Sequence, residues 1–561
     1  MNNKTGFGPV MGTDMLGRKL PGAKEVGKIK TDKERKVGMF YFLVNALERR
    51  QIPMVIPDIL AKYPEAKDDV NHPGWGKMPI SYHWGKPFWD FYYSDDEWVI
   101  RKHMEMLTLA GVDFLFLDTT NGHYFERISK MVMRILHEYN EMGWNAPQVM
   151  FYTNTKSGQE IEEIFENIYK EGYMSDTWLY VDGKPAIIGK PEECSEQVKE
   201  FFNVLQAQWP IEPEKVGGWP WMDFKRPQSL YAQADGKNSV VSVSVAQHPK
   251  IYMGDSVMYG EKGNRGRSFH NGINEAETDE NAIMHGYNVA EQWEVARKYD
   301  PDYVMITGWN EWTAGKWDYD PPRKNGRVVN FVDLASPEFS RDTDLMEGGY
   351  FDCYYMQLIS DIRKYKGCEE IPKQEKHTIE LNKDFHQWQS IPVSYRNFGG
   401  ARIRYAEGFG GIKTNFTVRN NIVESKVAYD DENLYFYVRT FSTTTPYFSE
   451  GSWMNLFIKT TEREGFDFIV NYKAKDEKTT DVIACDESGF SGNYIGRATY
   501  YRIHDEMHLC VSRKMLGLDK GKPTFMFKWG DSTERYTSVE ELYLNGNTAP
   551  LGRVCYVFEG K

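Results

Sequence analysis

Two carboxylates hold positions from which they could work together. Glu311 stands in Trp309-Asn310-Glu311-Trp312, directly after the apolar run Tyr303 to Gly308, and Asp118 closes the run Val112 to Leu117. Each run reads as a buried parallel strand, and a (β/α) barrel builds its active site at the C-terminal ends of such strands. Cleaving a glycosidic bond needs one protonated carboxyl for the leaving oxygen, and one ionised carboxylate as nucleophile or as base toward water. An aromatic wall raises one acid by desolvation and leaves the other low. Glu311 and Asp118 are therefore the candidate catalytic pair. The plainer roles are a hydroxyl acceptor or arginine partner for Glu311, and an N-cap of the following helix for Asp118.

The residues around them suit a sugar. Phe, Trp and Tyr make up 15% of the chain, with 16 Trp and 35 Tyr, and an indole or phenol matches a pyranose ring that is apolar on its face and polar at its rim. Trp219, Trp221, Trp309, Trp312 and Trp317 fall near predicted strand ends as stacking platforms, with core packing as the alternative for each. Asn310, Asn121, His83 and Trp84 (in Ser81 to Gly85) and His248 (in Gln247 to Pro249) are candidates for hydroxyl contacts. Arg267, with Arg265, could grip an anionic sugar through a guanidinium fork. Asp223, Asp255 and Asp318 are reserve acids. In the C-terminal third, Trp453 and Trp529 are either platforms or cross-strand packing. No residue spacing calls for a metal or a cofactor.

The elements that must position these groups follow from periodicity. Between Val37 and Lys366, apolar strands alternate with helical patterns, as βα units of a parallel sheet do. Strands are predicted over residues 37–44, 112–117, 148–153, 216–219, 240–245 and 303–307. A hairpin over 178–188 turns at Asp182-Gly183, which suits a turn requiring positive φ. That makes seven, with an eighth placed in the stretch 313–347. Helices are predicted over residues 97–110, 124–141, 159–170, 281–298 and 350–365. Ser94 to Glu97 reads as a capping box for the first of these, and Gly111 as its stop. Long loops over 45–93, 246–280 and 309–348 carry His, Trp, Asp and Arg and are predicted to wall a binding site. Residues 1–30 form an N-terminal extension, 31–366 a (β/α)8 barrel of the TIM type, 367–377 a linker and 378–561 an antiparallel β-sandwich, an α/β plus all-β chain.

The barrel half resembles glycoside hydrolase families 99 and 71, carried by Gly111 to Asp118, Asp182-Gly183-Lys184-Pro185 and, above all, Trp309-Asn310-Glu311-Trp312. The C-terminal third resembles a family 9 carbohydrate-binding module, carried by Val427 to Phe436. The resemblance implies a glycoside hydrolase acting on a polysaccharide or complex glycan, secreted or periplasmic. It is incomplete at one position: the family 99 pattern has a second glutamate three residues after the first, and this chain has Ala314. A glycan-binding protein without catalysis, on the same kind of barrel, is the alternative reading.

Bulk composition narrows the field. A formal net charge of −13 opposes a nucleic-acid partner, and no apolar stretch is long enough to span a bilayer. The six cysteines form no CxxC pair. Residues 1–30 contain no apolar segment of signal-peptide type, which fits an intracellular chain or one whose signal has been removed.

Overall fold

The computed structural model describes residues 9–45, 52–76, 81–249, 263–318, 329–331 and 335–561. It divides into two compact units. One comprises Lys30–Lys366 with Ala406–Lys413; the other comprises the described part of Asn2–Ile29 with Gly367–Tyr405 and Thr414–Lys561. Among the described residues no helix is long and apolar enough to cross a membrane.

The first unit contains eight parallel strands: β1 (Lys36–Tyr41), β2 (Phe114–Thr119), β3 (Gln148–Thr153), β4 (Lys184–Gly189), β5 (Asn203–Gln208), β6 (Gly218–Pro220), β7 (Val240–Ser244) and β8 (Tyr303–Trp309). Each pairs with its neighbour in sequence, and β8 pairs with β1, so the hydrogen-bonded order is β7-β8-β1-β2-β3-β4-β5-β6. Only the β6–β7 seam lacks pairing, and the barrel is nearly closed. The crossover helices are α1 (Glu97–Ala110), α2 (Glu126–Glu141), α3 (Ser157–Ile164), α4 (Glu196–Phe201) and α5 (Tyr287–Tyr299), with α6 (Cys353–Lys366) following β8. The β5–β6 and β6–β7 connections contain no helix.

The eighth strand is β5, not a segment of 313–347. Its sequence, Asn203-Val204-Leu205-Gln206-Ala207-Gln208, lacks the apolar run that marks a strand buried on both faces. Gln208 is buried all the same, because its amide donates to the backbone oxygens of Trp209 and Pro213 and accepts from Lys215 N–H. The stretch expected to hide the missing strand contributes Thr313–Asp318, which pairs antiparallel with Ser81–His83 and Val329–Phe331 outside the barrel. The predicted 159–170 helix starts earlier and changes form, α3 continuing into a π-helical turn over Phe165–Tyr169. The capping box also fails. Asp96, not Ser94, caps α1, accepting from Trp98 and Val99 N–H, while the Ser94 hydroxyl accepts from Asn45 N–H. Gly111 ends the helix as expected, in the left-handed region at φ 85°. The Asp182-Gly183 turn likewise takes positive φ at both positions, 50° and 82°.

Inward-facing aromatics fill the barrel: Phe40, Phe114, Phe116, Tyr152, Trp219 and Tyr303 belong to one buried cluster. Gly38 makes room for them, since a Cβ there would lie 2.3 Å from the Phe114 ring.

The second unit is built on antiparallel strands, apart from the short parallel pairing of Lys373–Gln374 with Cys555–Gly560. The predicted sandwich appears as one continuous hydrogen-bonded path rather than two separate sheets. The path folds back on itself: Phe436, from Asn433–Thr440, packs against Phe525 and Phe527 of the non-adjacent strand Thr524–Ser532, at 5.8 and 5.9 Å between ring centroids. The described residues 9–29 belong here rather than to a separate extension, with Val10 and Met11 paired to Tyr556 and Cys555. Trp453 and Trp529 are both buried, their indoles donating to Thr445 O and Ser425 Oγ, so they are packing residues and not platforms.

Adding a methyl group at Gly38 should force the Phe114 ring from its place. Gly38→Ala is expected to destabilise the barrel unit by about 1–3 kcal/mol, read as a lower denaturant midpoint for the loss of its near-ultraviolet signal. An unchanged midpoint would contradict the packing described.

Candidate functional site

The site forms where β8 leaves the barrel. Asn310 follows the strand in the left-handed region at φ 62°, a conformation that asparagine tolerates better than most residues. Its side chain accepts from Phe42 N–H at 3.0 Å and donates to Phe42 O at 2.9 Å, tying the end of β8 to the end of β1. The segment 341–343 lies along the same strand end: Gly308 N–H donates to Arg341 O at 2.7 Å, and Thr343 N–H donates to Gly308 O at 3.0 Å.

These constraints hold Glu311 by its backbone. Its N–H donates to Asp342 Oδ1 at 3.0 Å, and its carbonyl accepts from Trp84 Nε1 at 2.7 Å. Its carboxylate receives Arg341 Nη2 at 3.1 Å, and the side chain is 16% exposed. Arg341 is almost wholly buried, with its guanidinium 5.0 Å from the Trp221 ring centre. Glu311 is therefore an accessible carboxylate with a buried cation behind it.

Three further acids are linked to this pair: Asp342 through the Glu311 N–H, Asp118 through the Arg341 charge, and Glu160 through Asp118. Asp118, at the end of β2, accepts from Thr120 N–H at 3.1 Å and Thr120 Oγ1 at 2.8 Å. Burial pushes its carboxyl up, against the Thr120 hydrogen bonds and the Arg341 charge. Asp342 is fully buried, and desolvation pushes it up to about 7 despite the Glu311 N–H bond; the Asp344 charge reinforces the rise, and those of Arg267 and Arg341 oppose it. Glu160, in the first turn of α3, is raised to about 9 by burial, with Asp118 and Glu163 adding to the effect. Neither Glu160 carboxyl oxygen has a hydrogen-bond partner among the described residues.

Beneath lies a buried polar network. Asp344 accepts from the Trp89 and Trp312 indoles at 3.1 and 3.0 Å, and His103 Nε2 lies 3.3 Å from Oδ2, the oxygen that Trp312 also reaches. The Tyr41 hydroxyl is 3.0 Å from His103 Nδ1. Trp312 stacks on Trp84 at 4.5 Å and 15°.

The predicted contact residues separate accordingly. Trp84, Trp309, Asn310 and Trp312 are buried and support Glu311 from behind rather than facing a ligand. Trp219 is interior, packed on Tyr303 at 4.7 Å, and Trp221 lies under Arg341. His83 is enclosed by Phe91 and Phe409, each at 4.8 Å, and His248 is buried beside Phe339. Arg267 is corrected from a surface grip to an interior cation: it lies 4.3 and 4.5 Å from the Tyr350 and Tyr354 rings and donates to Pro337 O and Ser340 O. A guanidinium tolerates such burial because its flat faces pack on aromatic rings while its edge hydrogens reach carbonyls. Arg265 bonds Gln247 and the Phe224 carbonyl. Asp223 is buried and accepts from Lys225 and Ser229 N–H. Asn121 is exposed in the turn after β2. Asp255 lies outside the described residues, as do the side chains of Trp317 and Asp318.

Arg341, Asp342, Asp344 and Glu160 escaped the sequence reading. The tract Ser340-Arg341-Asp342-Thr343-Asp344 was visible inside a loop expected to wall the site, and its dense charge was the available signal. Glu160 had none, since a glutamate in a first helical turn is ordinary.

Asp342 sets a pH dependence. Its folded-state pKa of about 7 exceeds the ordinary 3.8, so between these values the folded chain holds a proton that the unfolded chain releases. The resulting stability is complete at low pH and is lost as pH rises through about 7. Asp342→Asn, which has no such proton, should lose less thermal stability than wild type between about pH 5 and about pH 8. Equal losses in the two proteins would refute the assignment.

No protein-family model matches this chain, and no curated protein matches it. Among solved structures, a GH99 endo-alpha-mannosidase from Bacteroides thetaiotaomicron is similar at 14% identity and a TM-score of 0.36, over 59% of this chain and 98% of that one. The structure of a GH99 endo-alpha-mannosidase in complex with BIS-TRIS-propane, from the same organism, is similar at 13% identity and a TM-score of 0.35, again over 59% and 98%. Likeness at this level is weak, and the site stands on its own geometry.

Proposed function

We propose that the barrel is a glycosidase, cleaving O-glycosidic bonds of a polysaccharide or complex glycan with two carboxyl groups. Glu311 is the ionised member, because Arg341 offsets its charge at 3.1 Å and its side chain remains reachable. Asp118 is the proton donor: it stands at a strand end, is not fully enclosed at 8% exposure, and is held above the usual carboxylate range by desolvation. Asp342 is a positioning residue that acts through the Glu311 backbone. The observation that carries this reading is the guanidinium of Arg341, which contacts the Glu311 carboxylate and lies in the field of two desolvated carboxyls, Asp118 and Asp342. In cleavage, Asp118 would give its proton to the leaving oxygen. Glu311 would attack the anomeric carbon or take a proton from the attacking water. Action on a polymeric glycan suits a secreted or periplasmic protein.

Two observations favour a second reading, a glycan-binding protein that does not cleave. The aromatic residues expected to wall the cavity are buried, and Ala314 stands where the family 99 pattern has its second glutamate.

A panel of plant, yeast and bacterial glycans, assayed for new reducing ends, separates the two. The glycosidase reading expects release on at least one glycan, reduced about 10²–10⁴-fold in Glu311→Gln and in Asp118→Asn. Binding without release on any glycan would establish the second reading, and release undiminished in both variants would remove these residues from the chemistry.

A further inference from the structure

The second unit contains a cavity of about 170 Å³, lined by Met11, Asp14, Lys459, Glu462, Glu464, Phe466, Met526, Leu542 and Arg553 among others. That is room for about five waters, or for one small organic molecule.

Its charges are paired, with one exception. Asp14 receives Arg18 at 2.6 Å and the N–H groups of Leu16 and Arg18. Glu462 pairs with Lys19, and Glu464 receives Arg553 at 3.2 Å. Lys459, at the end of the strand Ser452–Lys459, is only 9% exposed. Among the described residues its amine has no hydrogen-bond or ion-pair partner. Burial pushes that amine below its usual range, against the charges of Cys555, Asp467 and Glu464, while Arg553 adds to the fall. The stem of Lys459 is largely buried while its ammonium is left to solvent alone, and an anion in the cavity would pair with it. The lining also has an apolar part, formed by Phe466, Met526 and Leu542, which belong to one cluster. One unmatched cation in a cavity with an apolar part suits a monoanion with an organic body. A phosphate dianion would need a second uncommitted cation, and Arg553 is already engaged by Glu464.

We propose that this cavity binds a small monocarboxylate, with the carboxylate on Lys459 Nζ and the body of the ligand against Phe466, Met526 and Leu542. The same chemistry is offered by a short-chain fatty acid and by a sugar acid, and the size of the cavity admits either. The proposal is independent of the barrel's activity.

Isothermal titration of the full chain tests it with four probes: butyrate and glucuronate, and their neutral counterparts butyramide and glucose. At least one acid should bind with a stoichiometry of one and raise the thermal midpoint, and its neutral counterpart should bind about 10-fold more weakly or not at all. Binding of butyrate assigns the site to fatty acids, and binding of glucuronate assigns it to sugar acids. Lys459→Met should abolish the heat, while Glu311→Gln should leave it unchanged. The proposal is overturned if neither acid binds at about 10 mM, if the neutral counterparts bind as well as the acids, or if Lys459→Met binds like wild type. The comparison with neutral probes uses the wild-type protein alone, so it remains decisive if the variant does not fold.

Discussion

A buried guanidinium, that of Arg341, balances the charge at the mouth of the barrel. Arg341 meets Glu311 at 3.1 Å, lies over Trp221, and opposes the raised proton affinities of Asp118 and Asp342. Removing one partner from such a group leaves an uncompensated charge where water cannot reach, which typically costs several kcal/mol. The elements that bring these residues together are correspondingly tied. Asn310 fastens β8 to the end of β1, and Arg341 and Thr343 extend the hydrogen bonding of Gly308 beyond the sheet. The charge balance and the backbone path depend on each other.

The tryptophans near the site do a different job from the one their number suggests. Trp84 and Trp312 stack face to face, and each spends its indole N–H on an acceptor near the acid, Glu311 O for one and Asp344 for the other. Trp89 joins Trp312 on Asp344. An indole supplies a large apolar area and one donor, which suits a strut that excludes water from a carboxylate while satisfying one of its oxygens. These rings stiffen the support of Glu311 and leave its carboxylate as the accessible feature. Burial raises the proton affinity of Asp342, and the neighbouring Asp344 charge adds to the rise.

Much of the architecture was legible in the chain. The apolar runs ending at Asp118 and Trp309 became β2 and β8, the 148–153 strand matched residue for residue, and Gly111 ended α1 as its position implied. These readings held because a parallel strand buried on both faces must be apolar along its length, and because only a residue free of Cβ strain ends a helix cheaply in the left-handed region. The strand β5 was missed because Gln208 satisfies its own amide in the adjoining loop, so its burial did not require an apolar side chain. Ser94 was misread for a related reason: its hydroxyl had a partner remote in sequence, Asn45 N–H, and Asp96 took the cap.

The chain by itself determined that acids would stand at strand ends, among aromatic residues, in a barrel of alternating strands and helices. Local pattern suffices for that, because periodicity and burial are properties of a short window. Only the tertiary structure decided which acid meets which cation, and which aromatics face inward. Arg341 and Glu311 are thirty positions apart, and Asp118 is farther still. The proton affinity of Asp118 depends on desolvation and on charges brought near by folding, and neither quantity is written in the neighbourhood of any one residue.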